Sequence, residues 1–120
     1  MANTIRRRTT LAAVAPLLVL TALATFAGFA ASQKAAHPKT HIVRIQGMKF
    51  IPANLEVAVG DSVVWKNEDI VPHTATSDRK GFDSGEIGAG MSWKYVARKK
   101  GSYPYTCAYH PNMKGELTVR

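Results

Sequence analysis

GSYPYTCAYHPNM, the stretch from Gly101 to Met113, joins a strand pattern to a group of sulfur and imidazole side chains. Tyr103, Tyr105 and Cys107 are spaced by two, which places them on one face of a β-strand. The residues after Cys107 are small, polar or proline, which is typical of a turn. The stretch therefore predicts a strand that ends at Cys107 and a short loop that follows it.

Similar short segments fill the chain on either side. Leu55, Val57 and Val59 alternate with Glu56 and Ala58, and Gly60-Asp61 then makes a turn into a second segment that contains Trp65. The segment from Trp93 to Ala97 alternates in the same way, and Leu117 and Val119 alternate near the end. Short strands broken by turns predict an all-β fold, an antiparallel sandwich or a barrel.

The N-terminal region has a different pattern. Arg6, Arg7 and Arg8 precede a 21-residue run, Leu11 to Ala31, without a charged residue. This arrangement predicts that residues 1–32 are an export signal or an N-terminal membrane anchor. Residues 33–40 are then a flexible lead-in, and residues 41–120 form the domain. Either interpretation of the apolar run places the domain outside the cytoplasm, in the periplasm or an equivalent compartment, and an uncleaved anchor would tether it to the membrane.

The composition and charge of the chain disfavour some classes of function. The chain has 16 Lys and Arg against 8 Asp and Glu, a formal charge of +8, of which +5 remains after residue 32. Export and the lack of basic residues interleaved with aromatics disfavour nucleic-acid binding. A small exported domain commonly needs a disulfide or a metal to support a thin core, and a single cysteine excludes an intrachain disulfide. The composition therefore indicates that a bound metal ion supports the fold of the domain.

Four side chains are candidate ligands: His73, Cys107, His110 and Met113. Each alone is more often an ordinary core or surface residue, and Cys107 alone is a buried thiol or a nucleophile without a partner set. Together they form a soft set, and a His₂Cys plane with a weak axial Met is the arrangement of a mononuclear copper site for electron transfer. No spare His cluster supplies a second metal site, so we expect a protein that is not an enzyme.

Several segments resemble the cupredoxin family, in its plastocyanin and amicyanin branch. They are Phe50-Ile-Pro52, Leu55 to Asp61, Val64 to Asn67, Pro72-His73-Thr74, Gly101 to Cys107 and His110 to Gly115. Two residues separate Cys107 from His110, and two separate His110 from Met113, which makes a short ligand loop similar to that of amicyanin. The resemblance implies a Greek-key β-sandwich and one type 1 copper ion held by His73, Cys107 and His110, with Met113 axial.

The resemblance also implies a function and partners. It implies that the protein carries single electrons between Cu(I) and Cu(II), from a dehydrogenase donor to a c-type cytochrome or oxidase acceptor, as a monomer. The positive charge favours partners with acidic surfaces. The exposed edge of His110 is expected to be the electron port, inside an apolar patch of Val71, Pro72, Met91 and Pro111. The alternative is a copper-binding or copper-homeostasis protein that uses the same ligands.

Other residues carry smaller expectations. The family commonly has an Asn that ties the two ligand loops together where this chain has Thr74, whose hydroxyl can still bond a loop backbone group but has fewer donors. Asn67 is expected to set a turn rather than to contact the metal. His37 and His41 match no ligand position and are predicted to be solvated tail histidines.

Overall fold

A computed structural model describes residues 37–120, together with Ala13. Lys34–Arg120 forms one compact unit. The export signal or anchor assigned to residues 1–32, and the first part of the lead-in, lie outside the described residues. Within the described part, no helix is long and apolar enough to cross a membrane.

Eight strands form two four-stranded sheets. Their bounds are β1 Thr40–Ile45, β2 Phe50–Ile51, β3 Asn54–Val57, β4 Ser62–Asn67, β5 Thr76–Ser77, β6 Ser92–Val96, β7 Gly101–Thr106 and β8 Lys114–Val119. The first sheet has the order β2-β1-β4-β6, and the second has the order β3-β8-β7-β5. The described residues contain no helix, so the predicted all-β sandwich is confirmed.

The strand directions differ in part from the antiparallel prediction. β1 pairs with β4 in parallel, from Thr40↔Ser62 to Ile45↔Asn67, and β3 pairs with β8 in parallel. The other pairs are antiparallel, so both sheets are mixed. Alternation of apolar residues reports which face a strand buries and not its direction, so the pattern alone could not detect these parallel pairs.

An aromatic core lies between the sheets. Trp65 of β4 is fully buried, and its ring centroid lies 5.2 Å from that of Phe82 and 5.5 Å from that of Tyr105. Leu117 of β8 is also fully buried. Burial of such large apolar side chains is the main favourable term in folding and holds the strand ends, where the loops begin, in fixed positions.

The two ends of the sandwich carry different residues. At one end, here called the site end, β4 ends at Asn67, β7 ends at Thr106 and β8 begins. At the other, the far end, β1 begins at Thr40, and its partner Ser62 is itself paired with Val96 at the end of β6. β7 also begins at the far end, at Gly101, opposite Val119 of β8.

His41 belongs to the fold and is not a solvated tail residue, so that prediction is wrong. β1 begins at Thr40, which places the half-buried His41 inside a strand. Its Nε2 lies 2.8 Å from a carboxylate oxygen of Asp61, and the Lys39 N–H donates to the same carboxylate. These bonds, led by that from Lys39, lower the pKa of Asp61 to about 2.

Candidate metal centre

Three of the four predicted ligands converge at the site end. His73 lies between β4 and β5, Cys107 directly follows β7, and His110 lies in the loop between β7 and β8. One ligand atom from each lies within 4.8 Å of the others. The Cys107 Sγ is 3.8 Å from His73 Nδ1 and 3.6 Å from His110 Nδ1. Residues 34 positions apart in sequence thus form one cluster.

The loop between β7 and β8 is closed by its own backbone. The His110 N–H donates to the Cys107 carbonyl at 3.2 Å, and the Met113 N–H donates to the His110 carbonyl at 2.9 Å. The Cys107 N–H in turn donates to the Met113 carbonyl at 3.1 Å. Two residues between successive ligands allow these two consecutive turns, which hold the buried Met113 beside the cluster.

Burial differs among the ligands. His73 is fully buried and Cys107 nearly so, whereas His110 is partly exposed. The His73 Nε2 lies 2.9 Å from Asp69 Oδ2. Because a carboxylate accepts, Nε2 carries the proton and donates, and the Nδ1 lone pair faces the thiol. Asp69 therefore selects the tautomer of His73 that can bind a metal through Nδ1.

Asp69 contacts the predicted ligand His73, and the sequence interpretation missed it. Burial would raise its pKa, but the backbone N–H groups of Met48 and Gly47 and the ring of His73 outweigh burial, so the pKa is lowered. Those backbone groups donate to the two carboxylate oxygens at 3.0 and 2.7 Å. The sequence pattern that could have identified Asp69 is its position four residues before His73, but an acidic residue at that distance from a histidine is common by chance.

Thr74 links the two ligand loops, as predicted. Its hydroxyl accepts a hydrogen bond from the Ala108 N–H at 2.8 Å. The Thr74 backbone N–H donates to the Cys107 Sγ at 3.3 Å. This contact fixes the position of the sulfur atom relative to the loop that carries His73.

Asn67 sets a turn, as predicted, and also pins the loop that carries His73. Its Oδ1 accepts from the Asp69 N–H at 2.9 Å, which closes the turn. Its Nδ2 donates to the carbonyls of Val71 and Ile87 at 2.8 and 2.9 Å. The Ile87 backbone pairs with that of His73, so this one buried side chain braces the segments on both sides of the ligand.

The surface near His110 is largely apolar. A groove of about 580 Å³ is lined by Met48, Lys49, Tyr109, His110, Pro111, Asn112 and Met113. Of the predicted patch, Pro111 lines this groove, and Val71, Pro72 and Met91 are exposed on other loops. Met48 and Tyr109 were missed, because nothing in their local sequence shows that they lie beside His110.

The separations among the predicted ligand atoms test whether a metal ion fits between them. In a trigonal plane with bonds of about 2.3 Å to sulfur and about 2.0 Å to nitrogen, each sulfur–nitrogen separation is about 3.7 Å. The observed 3.6 and 3.8 Å agree. A thiolate, two imidazoles and a thioether form the donor set of an electron-transfer copper site. The fold and site together define a β-sandwich with one type 1 copper site.

Comparison with known proteins agrees with this class. The family model for a cupredoxin-like domain matches residues 18–119, and the chain belongs to that family. Amicyanin-alpha of Methylorubrum extorquens is 29% identical over 116 residues, covering 91% of this chain and 97% of the relative. Chloroplastic plastocyanin of Fritillaria agrestis is 33% identical over 87 residues, covering 60% of this chain and 52% of the relative.

Solved structures give the same result. A purple cupredoxin of Nitrosopumilus maritimus has a TM-score of 0.61 and 30% identity, covering 67% of this chain and 99% of that one. A Cu(I) amicyanin has a TM-score of 0.63 and 27% identity, covering 68% of this chain and 82% of that one. The chain spans between 52% and 63% of the length of the first curated relatives that it matches.

Proposed function

We propose that this protein transfers single electrons through one copper ion, which His73, Cys107, His110 and Met113 would hold. The observation that carries the proposal is the cluster of three ligand atoms within 4.8 Å, of which only His110 is partly exposed. When bound, copper supplies a Cu(I)/Cu(II) couple. Relatives named amicyanin and plastocyanin support the same function.

The surrounding residues restrict movement of the ligands. Asp69 fixes the ring of His73, the Thr74 N–H donates to the Cys107 sulfur, and Asn67 braces the His73 loop. Rigid ligands keep the change in geometry between two oxidation states small, which lowers the barrier to electron transfer. Hydrogen bonds of this kind also tune the potential of a metal.

His110 is proposed as the port for electrons. It lies beside the apolar groove, where a partner can exclude water and approach the ring edge. The proposed partners are a dehydrogenase donor and a c-type cytochrome or oxidase acceptor, with the protein acting as a monomer outside the cytoplasm. Lys49 in the groove and the net positive charge favour acidic partner surfaces, although Glu86 bonds Tyr109 at this end.

The test is electron transfer from the reduced, copper-loaded protein to an oxidised c-type cytochrome, followed by stopped-flow absorbance. We expect Tyr109→Glu, which adds a charge to the groove, to slow the second-order rate at least tenfold while the visible spectrum is kept. Lys94→Gln changes the net charge by the same amount at an exposed position on β6 outside the groove, so it is the matched control and should change the rate much less. Equal slowing by both variants would contradict the port assignment.

A second measurement separates electron transfer from copper carriage. His110→Gly should open the site, so that added imidazole binds the metal and restores the spectrum. A chelator challenge on the unchanged protein then reports how readily the metal leaves. A colourless complex whose metal exchanges within the mixing time would contradict the electron-transfer proposal and favour the copper-homeostasis alternative.

A further inference from the structure

A basic pocket lies toward the far end of the sandwich, away from the ligands. It has a volume of about 490 Å³, and four cations line it: Arg79, Lys80, Arg98 and Lys99. The rings of Tyr95 and Tyr103 form part of its wall. The Tyr103 hydroxyl donates to the Lys99 carbonyl at 2.8 Å, so the loop that presents Arg98 and Lys99 is held in place.

The pocket cations have no salt-bridge partner among residues 37–120. The ion pairs of that part of the chain involve His41, Arg44, Lys66, His73 and Arg120, and none of the pocket cations. Two carboxylates lie near the pocket, one through a hydrogen bond to a pocket residue and one next to a pocket residue in the sequence. Glu116 accepts from the pocket residue Ser102, and Asp78, which directly precedes Arg79, accepts from Thr106. The pocket therefore has a clear excess of positive charge.

Electron transfer at His110 does not use this pocket. Gly101, which lines the pocket, begins β7, and Cys107 directly follows that strand. Six strand residues span roughly 20 Å at about 3.3 Å each. None of the pocket cations lines the groove beside His110, so the proposed port does not account for their concentration at this end.

The chain enters the domain at this same end. Thr40 begins β1 and pairs with Ser62, which pairs with Val96, two residues before Arg98. Upstream of this entry point, the sequence holds the uncharged run from Leu11 to Ala31, long enough to cross a bilayer. If this run is retained as an anchor, the domain is held next to a membrane, whose anionic headgroups attract clusters of Lys and Arg.

We propose that the basic pocket docks on the phosphate headgroups of an anionic membrane surface, and that the docked domain presents His110 on the side away from the bilayer. This proposal is independent of the copper assignment, because neither the pocket nor the chain entry involves a ligand. Free phosphate and an acidic protein partner are the two alternative occupants, because such a pocket attracts either of them.

The test uses the full chain reconstituted into vesicles and follows hydrogen exchange of the backbone amides of residues 78–81 and 98–102. We expect slower exchange in phosphatidylglycerol-containing vesicles than in phosphatidylcholine vesicles, and loss of the difference at high salt. Each Lys or Arg near an anionic surface contributes roughly a fivefold preference. The triple variant Lys80→Gln, Arg98→Gln, Lys99→Gln should therefore weaken docking on the order of a hundredfold.

The control is a triple variant with the same net charge: Lys49→Gln, Lys94→Gln, Lys114→Gln. It should keep most of the protection, because these exposed lysines do not line the pocket. Equal exchange in both vesicle types would overturn the proposal. So would equal protection by inorganic phosphate alone, which indicates a small-anion site, or protection that appears only with an added acidic protein.

Discussion

Asn67→Ala tests whether one buried amide holds the metal-binding loop. The substitution removes three hydrogen bonds, to the Val71 and Ile87 carbonyls and from the Asp69 N–H. At about 1 kcal/mol each, the loss is about 3 kcal/mol, and the bond to Ile87 is buried, which adds to the cost because no water replaces it. For a domain of this size the melting temperature should fall by roughly 12–24 °C.

The assay is thermal or urea unfolding of the metal-free protein, with Asn54→Ala as the matched control. Asn54 is exposed on β3, so its truncation should change the free energy of unfolding by less than about 0.5 kcal/mol. Asn67→Asp keeps the acceptor for the Asp69 N–H and loses both donors, so it should also destabilise strongly at neutral pH. A loss below about 1 kcal/mol for Asn67→Ala would refute the reasoning.

Three further predictions concern other contacts. Asp69→Asn removes the carboxylate that orients His73 and should weaken copper binding about 10–100-fold in a chelator competition. An unchanged copper affinity would contradict the claim that this hydrogen bond orients the ring. Asp61 has a pKa of about 2 against an ordinary 3.8, so its stabilising effect is complete above pH 3.8 and is lost as the pH falls toward 2. Asp61→Asn should therefore flatten the dependence of melting temperature on pH in that window, and an unchanged slope would contradict the assignment. At Gly115 an added Cβ would collide with the Tyr105 ring, so Gly115→Ala should cost about 1–3 kcal/mol in urea unfolding, whereas an unchanged midpoint would show that the ring can move freely.

Local chemistry predicted three side chains that the fold brings together and the strand faces that it buries. A thiol, an imidazole and a thioether, each separated from the next by two residues, leave few ways to fold the loop, and the loop has the predicted turns. Alternation likewise identified the buried face of β4, because a strand exposes every second side chain to the same side. These features depend on neighbours in sequence.

Long-range features could not be predicted in the same way. The parallel pairing of β1 with β4 depends on where the chain returns, and the bond between His41 and Asp61 joins residues 20 positions apart. Asp69 becomes important only because the fold brings Gly47 and Met48 to its carboxylate. Such contacts leave no periodic trace in the sequence.

The visible spectrum of the protein loaded with Cu(II) tests the central claim most directly. A thiolate bound to copper in a trigonal site should give a strong absorption in the red part of the spectrum, and Cys107→Ala should abolish it. A colourless Cu(II) complex, or an absorption that survives in Cys107→Ala, would contradict the proposed type 1 site.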